Sequence, residues 1–142
     1  LIGDDLFFKV LKEYANDTKF KYKSARTQDF IDKANEVTGM SLDWFFDEWL
    51  TSPGFPVYDN HFYYSELSSG KWQVQAVIKQ TQKENFFSMP VEIKFVLDNN
   101  TDTTVRVSNN RNNQTFNFSL GSKPVKTIFD PDKNIILKST PR

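Results

Sequence analysis

Leu42-Asp43-Trp44-Phe45-Phe46-Asp47-Glu48-Trp49-Leu50-Thr51-Ser52-Pro53-Gly54-Phe55-Pro56 is the stretch on which the reading of the fold turns. Up to Leu50 the apolar side chains Leu42, Phe45, Phe46, Trp49 and Leu50 recur at the spacing of one helix face. Thr51-Ser52-Pro53-Gly54 then stops the helix, because proline cannot continue the hydrogen-bond ladder and glycine relaxes it. Beyond Pro56 the apolar residues recur at every second position instead. The change of period from helical to extended at Pro53 predicts a chain in two parts.

Working outward, two further helices are predicted upstream. Leu6, Phe7, Val10, Leu11 and Tyr14 form one apolar stripe, and Phe30, Ile31, Ala34 and Val37 a second. Thr27 and Ser41 stand where N-caps belong, Asp29 and Asp43 put negative charge into first turns, and Gly39 suits a left-handed C-terminal residue. Downstream, Trp72/Val74/Ala76/Ile78, Val91/Ile93/Phe95/Leu97, Thr103/Val105/Val107 and Phe116/Phe118/Leu120 alternate as half-buried strands. Ser68-Ser69-Gly70, Asp98-Asn99-Asn100, the Asn109 to Asn113 run, Gly121-Ser122-Lys123-Pro124 and Asp130-Pro131-Asp132 read as turns. With Val57 to Tyr64, Val125 to Phe129 and Ile135 to Leu137, about seven strands are expected. The predicted class is therefore α+β, with a short three-helix segment over 1–52, a stiff Pro/Gly linker over 53–56 and an all-β immunoglobulin-like sandwich over 57–142.

Composition narrows the function classes. Eighteen basic and eighteen acidic residues cancel, so no field favours nucleic acid or an anionic membrane. Cysteine is absent, which removes disulfides, thiolate metal sites and a cysteine nucleophile. No apolar run approaches the roughly 20 residues of a membrane span. With no Met at its start, the chain is expected to be a piece of something longer, whose targeting signal would lie upstream of Leu1.

Few residues can carry chemistry. Hydrolytic zinc needs several imidazole or carboxylate ligands, and His61 is the one histidine, set in a predicted strand. No Gly-x-Ser-x-Gly elbow supports a serine nucleophile. Asp43, Asp47 and Glu48 resemble a carboxylate cluster, but Asp43 and Asp47 lie four apart on the polar side of the third helix and read as a solvated face. Tyr58, Phe62, Tyr63, Tyr64 and Trp72 could stack a sugar or a base, although strand alternation lets at most half of them share one surface. The sequons at Asn16, Asn99, Asn113 and Asn117 carry little information in an Asn-rich chain.

Thr27-Gln28-Asp29-Phe30, Thr38-Gly39, the Trp44-Phe45-Phe46 to Trp49-Leu50 helix and Pro53-Gly54-Phe55-Pro56, with Gly3-Asp4-Asp5-Leu6-Phe7-Phe8 and Tyr14 upstream, resemble the end of the catalytic domain in gluzincin zinc aminopeptidases. This is the family of aminopeptidase N and the leukotriene hydrolases. Gln80-Thr81-Gln82 and Phe129-Asp130-Pro131 extend the resemblance into the strands. Glu48 departs from it, since the family commonly has Gln there. The family's Gly-x-Met-Glu-Asn motif, its His-Glu-x-x-His and its transition-state Tyr all precede the matched region, so no catalytic, cofactor-binding or metal residue is expected in this chain.

The resemblance implies a non-catalytic C-terminal fragment that gives structural support to a zinc aminopeptidase. Zinc would be held by the parent, and the partners would be the rest of that peptidase and, through it, peptide substrates. The helical segment is expected to leave an uncovered face, with Phe7, Phe8, Val10, Leu11, Phe30 and Ile31 as contributors to self-association. Trp49 is expected to pack where the third helix meets the rest of the fold. The alternative is a free-standing sandwich that binds a peptide, a glycan or a protein.

Overall fold

The computed structural model describes residues 1–68, 70–83, 85–135 and 137–139. The chain forms two compact units, Leu1–Ser52 and Pro53–Arg142.

The first unit is helical. Helix α1 spans Asp4–Asn16, α2 Thr27–Thr38 and α3 Asp43–Phe46, and α3 runs on into a π-helical turn over Asp47–Thr51. Gly3 precedes α1 at φ 78°, a conformation costly for any residue with a Cβ, and its carbonyl accepts the Phe7 N–H at 3.1 Å. Thr27 is not the N-cap of α2 but its first helical residue. Asp29 caps from inside the helix, its carboxylate accepting the Arg26 N–H at 2.7 Å, which satisfies the donor that a threonine cap would otherwise leave. Gly39 ends α2 at φ 67° with its N–H on the Asn35 carbonyl, as the sequence predicts.

The turn from α2 to α3 is held by one amide. Asn35 Oδ1 accepts the Leu42 N–H at 2.7 Å, while its Nδ2 donates to Asp43 Oδ2 at 2.8 Å. Leu42, not Ser41, is the residue before α3, and the Ser41 hydroxyl donates to Asp43 instead. That turn seats Leu42 against Val10 of α1 and Ala34 of α2, with Ile2, Phe30, Val37 and Phe46 packed around them. Edge-on aromatic pairs, Tyr14 with Phe30 and Phe30 with Phe46, link the three helices.

The third helix is regular for only one turn. The Asp47 carbonyl accepts both the Thr51 hydroxyl at 2.6 Å and the Ser52 N–H at 3.1 Å, an i to i+5 closure that widens the last turn. Asp43 and Asp47 are exposed, Leu42 is buried and Phe45, Phe46 and Trp49 are half-buried, as expected, but Leu50, expected on the same apolar face, is exposed in the π-helical last turn. On α1, Phe7, Phe8 and Leu11 are exposed; Val10 and Ile31, expected beside them, are buried.

The second unit is built from strands. β1 is Val57–Tyr58, β2 His61–Glu66, β3 Trp72–Ile78, β4 Met89–Leu97, β5 Asp102–Asn109, β6 Gln114–Leu120, β7 Pro124–Phe129 and β8 Lys138–Ser139. Two antiparallel sheets, ordered β2-β3-β6 and β5-β4-β7, carry the fold, and β1 pairs parallel with β8. Strand β4 shows why: Met89, Val91, Ile93, Phe95 and Leu97 are all buried on one side. Each such side chain contributes about 1.5–3 kcal/mol when removed from water. Val74, Ala76 and Ile78 of β3 do the same for the other sheet. Phe95 and Phe118, 5.7 Å apart, bring the two buried faces together.

Two strand expectations shift. The predicted strand from Val57 to Tyr64 breaks at Asp59-Asn60, because the Asn60 side chain is turned in to accept the Lys79 N–H in place of a backbone carbonyl. Ile135 is not in a strand, since the Asp130 carboxylate accepts the N–H groups of Asn134 and Ile135 and curls that segment into a turn. The final strand falls at Lys138–Ser139 instead. Ser69 of the expected turn and Ile136 of the expected strand lie outside the described residues.

One ion triad gives the helical unit a pH dependence. Lys33 Nζ of α2 lies 2.9 Å from Asp17, just past α1, and 2.7 Å from Glu36. The bond to Lys33, helped by the Lys19 N–H, lowers Asp17 from its ordinary 3.8, and the bonds to Asp17 and then Glu36 raise Lys33 above 10.5. For Asp17 the stabilisation is complete above 3.8 and is lost as the pH falls through its lowered folded value. For Lys33 it is complete below 10.5 and is lost as the pH rises through the raised one. The protection of α1 and α2 amides, measured relative to their intrinsic exchange rates, should therefore fall as the pH drops below 3.8, and the Asp17→Asn variant should lack that acid-dependent step. An identical acid profile for wild type and variant would contradict this.

Candidate functional site

The structure scatters the residues singled out in the sequence rather than assembling them. His61 stands at the start of β2, half-exposed, its Nε2 3.6 Å from Asp59 Oδ2. Asp43 serves the α2–α3 turn through Asn35 and Ser41, and the Asp47 carbonyl serves the π-helical turn. Among the described residues no group of three or more His, Cys, Asp and Glu side chains could hold a metal ion. No described helix is long and apolar enough to cross a membrane.

The most organised polar cluster centres on Gln80, which the sequence offered only as part of the Gln80-Thr81-Gln82 resemblance and not as a site. Gln80, just past β3, is buried, and its Nε2 donates to the Phe87 carbonyl at 2.7 Å, with Tyr58 Oη at 3.1 Å and Asn109 Oδ1 at 3.2 Å. Its Oε1 accepts the Phe87 N–H at 2.9 Å and Gln82 Nε2 at 2.7 Å. Asn112 closes the ring on the backbone, exchanging bonds with the Gln80 N–H and carbonyl. Asn109 Nδ2 in turn donates to the Arg111 carbonyl and Gln114 Oε1. The cluster joins β1, the end of β3, the segment before β4 and the β5–β6 turn. With its amides engaged and Tyr58 fully buried, it is a structural latch and offers no chemistry to a substrate.

A sequence signal for this latch exists. Gln80 continues the inward parity of Val74, Ala76 and Ile78, and Asn109 that of Val105 and Val107. A polar residue in an inward position must be hydrogen-bonded.

The aromatic candidates divide by face. Tyr58 is in the latch, and Phe62, Tyr64 and Trp72 have the inward parity of their strands; the Tyr64 hydroxyl is 2.7 Å from that of Thr127 on β7. Tyr63 alone of the set is on the outer face of β2-β3-β6. There the register aligns Tyr63 with Gln75 and Asn117, and Ser65 with Gln73 and Ser119. His61, Val77 and Thr115 form the third row. None of these nine outward positions is Asp, Glu, Lys or Arg. The outer face of the other sheet is the opposite. It pairs Glu92 with Arg106 and Lys94 with Asp102, the latter as a 2.8 Å ion pair.

Replacing the latch amide tests its role. Gln80→Glu keeps the shape but turns a donor into a buried carboxylate facing the Phe87 carbonyl, at a cost of about 3 kcal/mol or more near neutral pH. Burial raises the pKa of such a group, so acidification protonates it and restores a donor. The stability deficit of Gln80→Glu relative to wild type, read from denaturant melts at each pH, should shrink as the pH falls. A deficit that stays constant would show that the amide donor is not what matters.

No protein-family model matches the chain. A probable aminopeptidase 1 of Sulfurisphaera tokodaii is 32% identical over 56 residues, which is 39% of this chain and 7% of that protein. Aminopeptidase N of Lactococcus lactis subsp. lactis is 36% identical over 56 residues, again 39% of this chain and 6% of the relative. A crystal structure of Legionella pneumophila aminopeptidase A in complex with aspartic acid superposes on 99% of this chain with a TM-score of 0.65. The identity there is 16%, so that likeness concerns the fold, and it spans 16% of the Legionella chain. The chain thus spans less than a tenth of the length of the two curated relatives, and over part of its own length it is related to aminopeptidases.

Proposed function

We propose that the chain is the non-catalytic C-terminal part of a gluzincin zinc aminopeptidase, an enzyme that removes N-terminal amino acids from peptides. In this reading its helices complete the catalytic domain, and its two sheets form the immunoglobulin-like sandwich that follows. The observation carrying the proposal is the identity over 56 residues with two aminopeptidases from distant organisms. The Legionella aminopeptidase A, which accommodates 99% of the chain as a small part of itself, supports it.

The residues of this chain do not fit zinc. A catalytic zinc takes three protein ligands, and here one histidine faces one carboxylate at 3.6 Å. The metal, the peptide-binding groups and the activated water therefore belong, in this proposal, to the rest of the parent. This chain supplies rigidity: the helical unit through Val10, Ala34 and Leu42, the sheets through the Gln80 latch.

The purified chain should retain no stoichiometric zinc after exhaustive dialysis and should not cleave aminoacyl reporter substrates. One tightly held zinc per chain, with activity, would overturn the assignment. The support role has its own readout. Phe7, Phe8 and Leu11, exposed on α1, are in this reading the face that meets the parent. The isolated chain should either self-associate in light scattering or exchange α1 amides faster than those of β4. A monomer with equal protection in both units would favour a free-standing binding module instead.

A further inference from the structure

We propose that the last turn of α3 is a two-state device, closed as a π-turn in one form and as a continuous α-helix in the other, with Leu50 turned outward in the first and inward in the second. The sequence pattern matches the α form. Leu42, Phe46 and Leu50 recur every four residues, and at about 3.6 residues per turn such side chains stack along one face. Leu42 is buried there and Phe46 packs beside it. The register holds as far as Trp49, whose ring lies 6.2 Å from that of Phe45. At Leu50 it breaks, and 59% of that residue is exposed.

A single carbonyl decides between the forms. That of Asp47 accepts the Ser52 N–H at 3.1 Å and the Thr51 hydroxyl at 2.6 Å. In an α-helix the same carbonyl takes the Thr51 N–H, and the Ser52 N–H moves to the carbonyl of Glu48. A hydroxyl bound four residues back crowds that position and bends the helix. The exchange thus changes the closing carbonyl without unpairing the Ser52 N–H. What differs is the Thr51 hydroxyl bond on one side and the burial of Leu50 on the other, contributions of the same order. Two forms balanced in this way are both populated.

The surroundings confine the change to this turn. Ser52 is extended at ψ 137°, the conformation that a following proline favours, so no helix beyond it has to shift register. Ser52 is also the last residue of the helical unit. One residue more or less in the closing turn rotates the exit by up to about 100° about the helix axis. The device redirects the chain where it leaves the helical unit, and it shows or withdraws Leu50 at the same point. Fraying, the ordinary behaviour of a helix end, is different in kind. A frayed turn exposes Leu50 and the backbone together, whereas the second form here buries Leu50 and stays helical.

The test is NMR relaxation dispersion on the isotope-labelled full chain, which reads exchange on the microsecond-to-millisecond scale. The expected result is one shared exchange process at the amides of Leu50, Thr51 and Ser52 and at the Leu50 methyls. The minor form should have helical Cα shifts, and NOEs from the Leu50 methyls to the Phe46 ring should grow with its population. Thr51→Val keeps the shape but removes the hydroxyl bond, and should raise that population about threefold or more. Leu50→Ser should abolish the minor form, and Phe8→Ser on α1 should leave it unchanged. Absence of exchange in this turn, a minor form with the shifts of an unfolded chain, or a Thr51→Val variant with the wild-type population would overturn the proposal.

Discussion

The second unit depends on the side-chain amide of Gln80. Four segments converge on it: β1 through Tyr58, the segment before β4 through Phe87, the β5–β6 turn through Asn109 and Asn112, and Gln82 two residues on. Strand pairing reaches this point only at its edges, through Met89 with Asn109, Ile78 with Gln114 and the bridge between Tyr58 and Gln80. A buried amide can lock them because it both donates and accepts. The same low-polarity surroundings that make each bond strong make an unmatched register costly. Apolar packing between the sheets tolerates small slips, whereas this arrangement admits one alignment.

The helical unit solves the same problem with less material. Its core is small, Val10, Ala34 and Leu42, and Leu42 is placed by the amide of Asn35 rather than by a helix cap of the usual kind. The Lys33 triad clamps the end of α1 to α2. Both devices are polar, and both compensate for a core too small to hold three helices by burial alone. Phe7, Phe8 and Leu11 meanwhile remain exposed on α1.

The two outer sheet faces record different demands. The outer side of β5-β4-β7 carries cross-strand charges, Glu92 opposite Arg106 and Lys94 in a 2.8 Å ion pair with Asp102. The nine outward positions within β2, β3 and β6 hold no Asp, Glu, Lys or Arg, while Lys71 and Lys79 continue the outward parity of β3 just beyond its ends. The amides at these positions are left uncommitted although the chain uses comparable amides as structural bonds a few residues away.

Periodicity alone was enough to establish the helical and extended segments, the inward residues of β3 and β4 and the end of α2 at Gly39. Each follows from local rules: the apolar period reports which side is buried, and glycine reports a left-handed residue. Other features needed the tertiary structure. Thr27 lost the cap to Asp29, the strand from Val57 broke at Asn60, and Ile135 was drawn into a turn by Asp130. In each case a side chain took over a backbone hydrogen bond that periodicity assigns by default. The latch at Gln80 and the uncharged row of Tyr63, Gln75 and Asn117 join residues far apart in the chain. Only strand register and burial decide such neighbours, because a hydrogen bond across 29 residues, as from Gln80 to Asn109, leaves no local trace in the sequence.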